Sequence, residues 1–430
     1  MQPDPRQLFD GIAFSRHHGV VAAVSGGGDS LALLLLLQEF LDSHADAPAL
    51  TAVTVDHALR AEAADEARFV AGLCASRGIA HRTMVWRGEK PATGLSAAAR
   101  SARLELLAQA AQSVGAGLVF TGHTRDDQAE TVSMRAARGT GRGGAGIAPA
   151  SLHNSGIWFV RPLLACGRAE LRNYLAKQNI RWIDDPTNDD PNYERVRVRR
   201  SLTPEGVAGC VAEADDVASE RRLLGTRAAR LIDDHVRRMA PGLYRVDPAL
   251  VEDTDSAGAL YALRVLAAMV GGASHLPPEN ASERVFAALR DGVCATLSRS
   301  VIDYRSSGVY LHRERRNLPV RMRVRQGMLW DGRYRITDGD GLHVAPFGGV
   351  ARDHPAEADP DLPQDLQFAA QFAEPALWRG DALIGAALDV DGGVKVGVPA
   401  PWATLLPSFD VDVAKALIRL LGGKTVLALP

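Results

Sequence analysis

The N-terminal half of the sequence predicts an α/β fold in which helices cover a parallel sheet. Between residues 19 and 120, short apolar or β-branched runs alternate with longer segments rich in Ala, Leu and Arg, which is the rhythm of βαβ units. Of the 430 residues 46% are hydrophobic, enough for a large core divided among two or three domains. In addition, the stretch S-G-G-G-D-S at 25–30 separates two apolar runs where a first strand would end and a first helix would begin.

Four strands are expected in this half. They are V-V-A-A-V (20–24), L-T-A-V-T-V (50–55), H-R-T-M-V-W (81–86) and G-L-V-F-T (117–121), each separated from the next by a helix-like segment. The stretch R-G-T-G-R-G-G-A-G-I (138–147) has too many glycines for a helix or a strand and predicts a loop. Helical spacing returns over residues 168–179.

The pattern changes near residue 205. Amphipathic helices are predicted over 211–240 and 255–290, followed by the strand-like runs S-V-I-D-Y and G-V-Y-L-H. After about residue 320, short strands such as Y-R-I-T and G-V-K-V-G-V are expected, and an acidic, proline-rich connector covers 353–365. We therefore expect three domains: an α/β domain at 1–205, a mainly helical domain at 206–318 and a small domain with short strands at 319–430.

Composition excludes several classes of protein. The formal net charge is −2, so overall charge does not indicate a nucleic-acid partner. The cysteines, Cys74, Cys166, Cys210 and Cys294, form no C-x-x-C pair, which argues against a zinc ribbon or an iron–sulfur cluster and favours a reducing compartment. The N-terminus lacks a signal-peptide pattern, and the apolar run L-A-L-L-L-L-L is far shorter than the roughly 20 residues that span a bilayer. We expect a cytoplasmic protein with no membrane partner.

The loop at 25–30 predicts a phosphate-binding site. Its glycines, Gly26, Gly27 and Gly28, allow a tight turn with exposed N–H groups, and the following helix N-terminus adds partial positive charge. Ser25, Asp29 and Ser30 complete the expected nucleotide-binding loop. The lysine that ends a Walker A loop is missing, which suits attack at an α-phosphate, the adenylation reaction. The alternative is an ordinary glycine-rich turn capped by Asp29 or Ser30.

At these residues the sequence resembles the PP-loop ATP pyrophosphatase family, whose fingerprint S-G-G-x-D-S matches 25–30. Further motifs make it similar to the tRNA(Ile)-lysidine synthetase family. They are D-H-A-L-R (56–60), A-A-R-S-A-R-L (98–104), G-H-T-R-D-D-Q-A-E-T (122–131), R-P-L-L (161–164) and D-D-P-T-N-D-D-P-N-Y-E-R (184–195). The resemblance covers about residues 15–200 and implies an adenine nucleotide alpha hydrolase-like domain. Leu104, Thr124 and Val196 depart from the family pattern.

The resemblance implies an ATP-dependent ligase that acts on tRNA. Such an enzyme adenylates the C2 oxygen of the wobble cytidine (position 34) in an isoleucine tRNA with a CAU anticodon. It then replaces AMP with the ε-amine of free lysine, and the lysidine that results changes codon reading from AUG to AUA. ATP with Mg²⁺, free L-lysine and this tRNA are therefore the expected cofactors and partners. The middle domain is expected to bind the tRNA.

The motif at 122–131 predicts the site where the amine binds. On a helix His123, Asp127 and Glu130 recur at i, i+4 and i+7 and would share one face. Two carboxylates can hold an incoming ammonium group, and an amine must lose a proton before it attacks, so general base catalysis is expected there. A metal site stays open, although Mg²⁺ with ATP needs only one or two protein carboxylates. A solvated charged face is the remaining alternative.

Two further pairs of residues are candidates near the phosphates. Asp56 ends the second strand, so it and His57 are expected to line the nucleotide or metal pocket, with a helix cap as the alternative. Arg100 and Arg103 lie three apart on a later helix and could neutralise phosphate charge in the transition state. Arg103 is the preferred candidate, against the alternative of two solvated arginines.

Clustered arginines predict the surface that binds tRNA. The candidates are Arg135, Arg138 and Arg142 around the glycine-rich loop, and Arg195, Arg197, Arg199 and Arg200 in Y-E-R-V-R-V-R-R. If the second group is extended, Arg195, Arg197 and Arg199 share one side and the two valines the other. A solvated charged face is again the alternative.

Two other functions stay open at the level of sequence. One is another PP-loop enzyme, such as a tRNA thiolase or an amide-forming ligase, and the other is a non-catalytic ATP- or RNA-binding protein of the same fold. A thiolase that modifies cytidine would need cysteine pairs that this chain lacks. The intact residues Ser25, Asp29, His123, Asp127 and Glu130 favour an active enzyme.

Overall fold

The computed structural model divides the chain into two compact units. The first contains Met1–Arg221 with Ala428–Pro430, and the second contains Arg222–Leu427. The structure describes residues 2–60, 62–139, 141–184, 190–339, 341–353, 362–387, 395–423 and 428–430. Outside them lie residues 185–189 of the D-D-P-T-N-D-D-P-N motif, residues 354–361 of the acidic connector and the first two residues of G-V-K-V-G-V. The division into three domains stays a prediction.

The first unit confirms the predicted parallel sheet covered by helices. Its strands are β1 (Gly19–Ala23), β2 (Ala49–Asp56), β3 (Ala80–Val85), β4 (Ala116–Thr121), β5 (Ala150–His153) and β6 (Trp158–Val160). Within this unit they follow the order β5-β6-β4-β1-β2-β3, and only the β5–β6 pair is antiparallel. The order reverses at β1, because β2 and β3 extend the sheet on one side and β4 on the other. Open α/β sheets bind ligands at the carboxyl ends of the strands at such a point.

Helices cover this sheet and bury its apolar strands. They are α1 (Pro5–Phe9), α2 (Gly28–Asp42), α3 (Ala63–Ser76), α4 (Leu95–Ser113), α5 (Arg125–Ala136), α6 (Arg168–Lys177) and α7 (Glu194–Ser201). The leucines of α2 between residues 31 and 37 are at most 2% exposed, so this part of the helix is buried on all sides. A long helix, α8 (Pro204–His235), follows and contains the boundary between the units.

The described part of the second unit contains three antiparallel sheets. Its helices are α9 (Ala249–Glu252), α10 (Ser256–Gly271), α11 (Glu279–Arg290), α12 (Gln364–Phe372) and α13 (Val411–Leu420). Its strands are β7 (Val236–Ala240), β8 (Leu243–Val246), β9 (Ala295–Leu297), β10 (Ser300–Arg305), β11 (Gly308–Arg313), β12 (Met322–Arg323), β13 (Met328–Trp330), β14 (Tyr334–Ile336), β15 (His343–Pro346), β16 (Pro375–Arg379), β17 (Ala382–Ala386), β18 (Lys395–Gly397) and β19 (Leu405–Pro407). The three sheets have the orders β7-β8-β11-β10-β9, β12-β15-β16-β17 and β13-β14-β18. The strands predicted at S-V-I-D-Y, G-V-Y-L-H and Y-R-I-T are confirmed as β10, β11 and β14.

One helix prediction is wrong at its C-terminal end. The sequence pattern predicts a helix to residue 240, but α8 ends at His235 and the next five residues form β7, which pairs with β8. The sequence Pro241-Gly242 supplies the reason: it forms the turn of a hairpin, with Gly242 at φ +71°. No helix in the described part of the chain is long and apolar enough to span a bilayer.

Candidate active site

Serine hydroxyls brace the loop that joins β1 to α2. The Oγ of Ser30 accepts a hydrogen bond from the backbone N–H of Ser25 at 3.1 Å and donates to the carbonyl oxygen of Gly27 at 2.9 Å. The two Oγ atoms lie 3.3 Å apart. The serines predicted as ligand donors therefore also hold the loop in shape at the N-terminus of α2.

Two glycines are required by close approach of the backbone. Gly26 has φ +86°, and a Cβ there would lie 3.0 Å from the Cδ1 of Ile183. A Cβ on Gly122, just after β4, would lie 2.9 Å from the carbonyl oxygen of Asp29. Gly27 instead has its nearest neighbour at 3.6 Å. The protein itself therefore needs Gly26 and Gly122, whereas the space at Gly27 is available to a ligand.

A cavity of about 440 Å³ opens beside this loop, between the ends of β1 and β2 and the side of α4. His57 and Arg103 line it together with apolar residues from β2. Burial lowers the pKa of His57, and the charge of Arg103 lowers it further. Asp56 is not among the residues that line it: its Oδ1 accepts from the backbone N–H of Ala58 at 2.7 Å in the turn after β2. Asp56 does not cap a helix either, because the N-cap of α3 is Glu62.

A second cavity of about 500 Å³ shares Ser25, Gly27, Arg103 and Ile183 with the first, so the two adjoin. It brings together predicted site residues from four separate segments of the chain. They are Ser25, Gly27, Gly28, Asp29, Ser30, Arg103, His123, Asp127, Arg195 and Arg199. The phosphate loop and the first acid of the predicted amine site thus face the same space.

The acid pair lies in the first two turns of α5. Asp127 belongs to the capping box of this helix: its Oδ2 accepts from the backbone N–H of Thr124 at 2.8 Å and from the Thr124 hydroxyl at 3.0 Å. Its Oδ1 remains for other donors. Glu130 follows one turn later and is 1% exposed. The prediction that His123 shares the helix face is wrong, because Thr124 is the N-cap and His123 precedes the helix.

Three arginines surround these carboxylates. Arg195 donates from Nε to Glu130 at 2.6 Å and from its terminal NH2 to Asp127 Oδ1 at 2.9 Å. Arg199 donates from Nε to Glu130 at 2.7 Å. Arg168 donates to Asp127 Oδ1 at 3.1 Å and lies 3.5 Å from Glu130. The pair that was expected to hold an ammonium group thus already holds guanidinium groups.

The extended conformation expected for the arginine-rich segment is wrong. Residues 194–201 form α7, so Arg195 and Arg199, four apart, share the face that meets the acid pair. Arg197 does not join them: its guanidinium donates to the carbonyl oxygens of Pro191 and Asn192 at 2.8 and 2.9 Å. Of the valines, Val196 is 5% exposed.

Arg168 is the main site residue that sequence reasoning missed. It is the first residue of α6 and donates from Nε to Asp29 Oδ2 at 3.3 Å as well as to the acid pair. Its backbone N–H donates to Asp126 at 2.8 Å, which fixes the start of the helix. The signal available was its position at a predicted helix start, four residues after the motif R-P-L-L.

Burial dominates the electrostatics of two polar groups in the second cavity. It raises the pKa of Asp29 to about 6, against the opposing charge of Arg168. Burial holds the pKa of His123 well below its ordinary value, and the charge of Arg161 lowers it further. His123 is therefore neutral at pH 7, with Nδ1 at 3.0 Å from the hydroxyl oxygen of Thr121.

Arg103 is better placed than Arg100 to meet phosphate. It lines both cavities, whereas Arg100 is exposed and lines neither. Burial lowers the pKa of Arg103, and the charge of Arg100 adds to this. Among the described residues, no carboxylate forms an ion pair with Arg103. Its positive charge is available to an anion.

The arginines around the glycine-rich loop have contacts within the protein. Arg135 donates to the carbonyl oxygens of Gly143 and Gly146 at 2.9 and 2.7 Å and so shapes the loop. Arg138 pairs with Glu194, and the carbonyl oxygen of Arg142 accepts from Arg221 at 3.1 Å. These three arginines do not line either cavity.

The described residues contain no group of three His, Cys, Asp or Glu side chains arranged to hold a metal ion. Asp29 nevertheless offers a single ligand atom. Its Oδ1 is buried and has no hydrogen-bond partner among these residues, while its Oδ2 receives Arg168.

Comparison with known proteins identifies relatives of this chain by sequence. A family model described as a PP-loop domain matches residues 4–206. A protein of Mesorhizobium japonicum named tRNA(Ile)-lysidine synthase is 46% identical, and the alignment covers 100% of this chain and 98% of that protein. A protein of the same name from Rhizobium meliloti is 38% identical over 93% of this chain and 90% of its own length.

Among solved structures, a U34-tRNA thiolase from Methanococcus maripaludis aligns with a TM-score of 0.43 at 18% identity, covering 50% of this chain and 77% of that one. Assignment of the chain to a family rests on the two relatives found by sequence. Since they match the chain over nearly its whole length and theirs, it belongs to the tRNA(Ile)-lysidine synthase family.

Proposed function

We propose that this chain joins free lysine to C2 of the wobble cytidine in the isoleucine tRNA with a CAU anticodon, using ATP and releasing AMP and pyrophosphate. One observation carries the proposal: the phosphate loop and Asp127 of the acid pair, 97 or more residues apart in sequence, line the same cavity at the reversal point of the sheet. The names of the relatives, tRNA(Ile)-lysidine synthase, identify the reaction that such a pairing of sites would serve.

The first step is adenylation of the tRNA. The C2 oxygen of the cytidine attacks the α-phosphorus of ATP, and pyrophosphate leaves. The N–H groups of the loop at 25–30 and the N-terminus of α2 would hold the departing pyrophosphate. Arg103, which has no carboxylate partner among the described residues and lines both cavities, would stabilise the charge that builds up on the phosphate oxygens.

Mg²⁺ fits this step as a companion of ATP. Phosphate oxygens and water fill most of its coordination positions, so one protein carboxylate can be enough. The buried, unpartnered Oδ1 of Asp29 is suited to that role. When bound, the ion would neutralise phosphate charge.

The second step replaces AMP with lysine. The ε-nitrogen attacks C2, and AMP leaves with the former C2 oxygen. Asp127 and Glu130 would bind the lysine as an ammonium ion, and one carboxylate would take the proton that the amine must lose. Neutral His123 lines the same cavity and adds no positive charge that would repel the ammonium group.

The tRNA would lie against arginines outside the two cavities. Arg138, Arg142 and Arg197 are the candidates there, Arg135 would act by shaping the glycine-rich loop, and Arg195 and Arg199 would reach phosphate only on leaving the acid pair. We place the reaction in the cytoplasm, where tRNA, ATP and lysine are available together.

The direct test is incorporation of an amino acid into RNA. Purified protein is incubated with ATP, bulk bacterial tRNA and each of several labelled amino acids. We expect label in RNA with lysine alone, together with AMP and pyrophosphate. Pyrophosphate release without lysine in RNA would instead indicate another PP-loop enzyme, and no ATP use at all would indicate a binding protein.

A further inference from the structure

Arg195 lies across the acid pair in the position that an incoming ammonium group would take. Its Nε is 2.6 Å from one oxygen of Glu130, and its terminal nitrogen is 2.9 Å from Oδ1 of Asp127. The other oxygen of Asp127 is already used by Thr124 at the helix cap. An ammonium group that reaches both acids from the cavity therefore has to take the place of Arg195.

The charges at this point are balanced. Three carboxylates, those of Asp29, Asp127 and Glu130, contact three guanidinium groups, those of Arg168, Arg195 and Arg199. A carboxylate as deeply buried as that of Glu130, 1% exposed, is costly to leave without a cation. Departure of Arg195 lowers the positive charge around this carboxylate, and an incoming ammonium group restores it.

The three arginines differ in their freedom to depart. Arg168 is 17% exposed, and its backbone is tied to Asp126 at the start of α6. Arg195 and Arg199, on α7, are 42% and 32% exposed. The two side chains from α7 can turn towards solvent, whereas Arg168 is enclosed.

The phosphate loop lies in the same cavity as these side chains. A phosphate group entering there adds negative charge and offers a guanidinium group bidentate hydrogen bonds as good as those of a carboxylate. Such an anion can take Arg195 and Arg199 from the acid pair without leaving either arginine unpaired.

We propose that Arg195, assisted by Arg199, is an internal stand-in for the lysine ammonium group, which leaves the acid pair when a phosphate group binds in the cavity. This inference rests on the proposed function. It makes lysine binding conditional: without a bound phosphate, lysine competes with a guanidinium group already held in the chain. The phosphate belongs either to ATP or to the backbone of the tRNA.

The first test uses the unmodified full-length protein. Binding of radiolabelled lysine is measured by equilibrium dialysis with no addition, with α,β-methylene-ATP, with tRNA, and with both. We expect the dissociation constant for lysine to fall by between about 5-fold and 150-fold, the usual range for two coupled sites, when the correct phosphate source is added. The arm in which it falls identifies that source. Equal affinity in all four arms would overturn the proposal.

The second test removes the stand-in. Arg195→Gln should bind lysine without any phosphate as tightly as the unmodified protein binds it with phosphate. Arg68→Gln is the control, because it removes the same charge from an exposed side chain of α3 that pairs with exposed Asp65 and lines neither cavity. Its lysine affinity should equal that of the unmodified protein. Weaker lysine binding by a folded Arg195→Gln protein would show that Arg195 helps to hold lysine and would overturn the proposal.

Failure of this inference can be told from failure of the proposed function. If lysine binds in no arm, the acid pair is not an ammonium site and the stand-in has no role. Incorporation of lysine into tRNA by the same preparation then shows whether the proposed reaction survives. If lysine is incorporated and its binding never depends on phosphate, only the stand-in is overturned.

Discussion

Arg168 connects the phosphate loop to the predicted amine site through Asp29. Its Nε lies 3.3 Å from Asp29 Oδ2, and the same guanidinium group donates to Asp127 at 3.1 Å. A single side chain therefore sets the spacing between the acid that would accompany ATP and an acid that would hold lysine. A change at this position should affect both steps of the reaction.

We expect Arg168→Met to slow transfer of AMP to tRNA and incorporation of lysine to a similar degree. The variant should also unfold more easily. Losing one partner of a buried ion pair costs about 3–5 kcal/mol, and we expect a loss of about 3 kcal/mol or less because Arg195 and Arg199 still pair with the acids. Urea denaturation and the two half-reaction assays measure these effects.

Arg172→Met provides the matched control for stability. Arg172 lies one turn along the same helix and pairs with Asp184, but both side chains are exposed, at 44% and 66%. Such a pair contributes about 1 kcal/mol or less. Equal loss of stability in the two variants would contradict the view that Arg168 joins the two parts of the site.

We expect Asp29→Asn to lose ATP use and to gain stability above pH 6. The pKa of Asp29 is raised from 3.8 to about 6, so between these values the folded protein binds a proton that the unfolded chain does not. This carboxyl therefore makes the protein less stable as the pH rises from about 4 to 6, by up to roughly 3 kcal/mol. Asparagine does not ionise, so the variant avoids this loss of stability.

Urea denaturation of the unmodified protein and of Asp29→Asn at pH 4 and pH 7.5 tests whether the Asp29 carboxyl lowers stability as the pH rises. The advantage of Asp29→Asn should be small at the lower pH and near its maximum at the higher one. A difference in unfolding free energy that is the same at both values would show that Asp29 does not titrate in this range.

Gly26→Ala and Gly27→Ala should separate folding from ligand binding. Gly26 has φ +86° and Ile183 3.0 Å from its Cβ position, so alanine there should cost about 1–2 kcal/mol of stability and also reduce ATP use. Gly27 has room for a Cβ, so alanine there should leave stability nearly unchanged but reduce pyrophosphate release. Normal pyrophosphate release by both soluble variants would rule out this loop as the phosphate site.

The sequence predicted the parts of the site that depend on local pattern. Apolar runs alternating with helices predicted the sheet, and the Ser- and Gly-rich stretch predicted the loop at its edge. Arg168 was missed because its partner Asp29 lies 139 residues earlier, and no local pattern reports such a contact. The run R-V-R-V-R fits a strand by its period of two and a helix by the spacing of Arg195 and Arg199. The structure has the helix, in which both arginines donate hydrogen bonds to buried Glu130.

We expect Glu130→Gln to impair lysine incorporation more than adenylation. The amide keeps the size of the side chain but loses the negative charge that attracts an ammonium ion and two arginines from α7. Transfer of ³²P-labelled AMP to tRNA measures the first step, and labelled lysine in RNA measures both. Asp126→Asn is the control. It removes a carboxylate charge from the same helix, and the asparagine oxygen can still accept the backbone N–H of Arg168. An equal fall in both steps would assign Glu130 to the ATP reaction.

The helical form of residues 194–201 changes which arginines should carry the electrostatic part of tRNA binding. Arg195 and Arg199 face the acid pair, whereas Arg138 and Arg197 lie outside both cavities. We expect the double change Arg138→Gln and Arg197→Gln to weaken tRNA binding and to leave binding of an ATP analogue intact. If each arginine meets one phosphate, the slope of log affinity against log salt should become less steep by about 0.9 per arginine.

Discrimination between this isoleucine tRNA and a methionine tRNA with the same anticodon should not change in the double variant, because phosphate contacts position the RNA without reading its bases. Filter binding of both tRNAs across a salt series measures the slope and the discrimination in one experiment. An unchanged slope would exclude this surface, since an arginine that meets no phosphate releases no counterions. A lost preference for the isoleucine tRNA would mean that Arg138 or Arg197 contacts a base, and the contact would then specify the substrate as well as hold it.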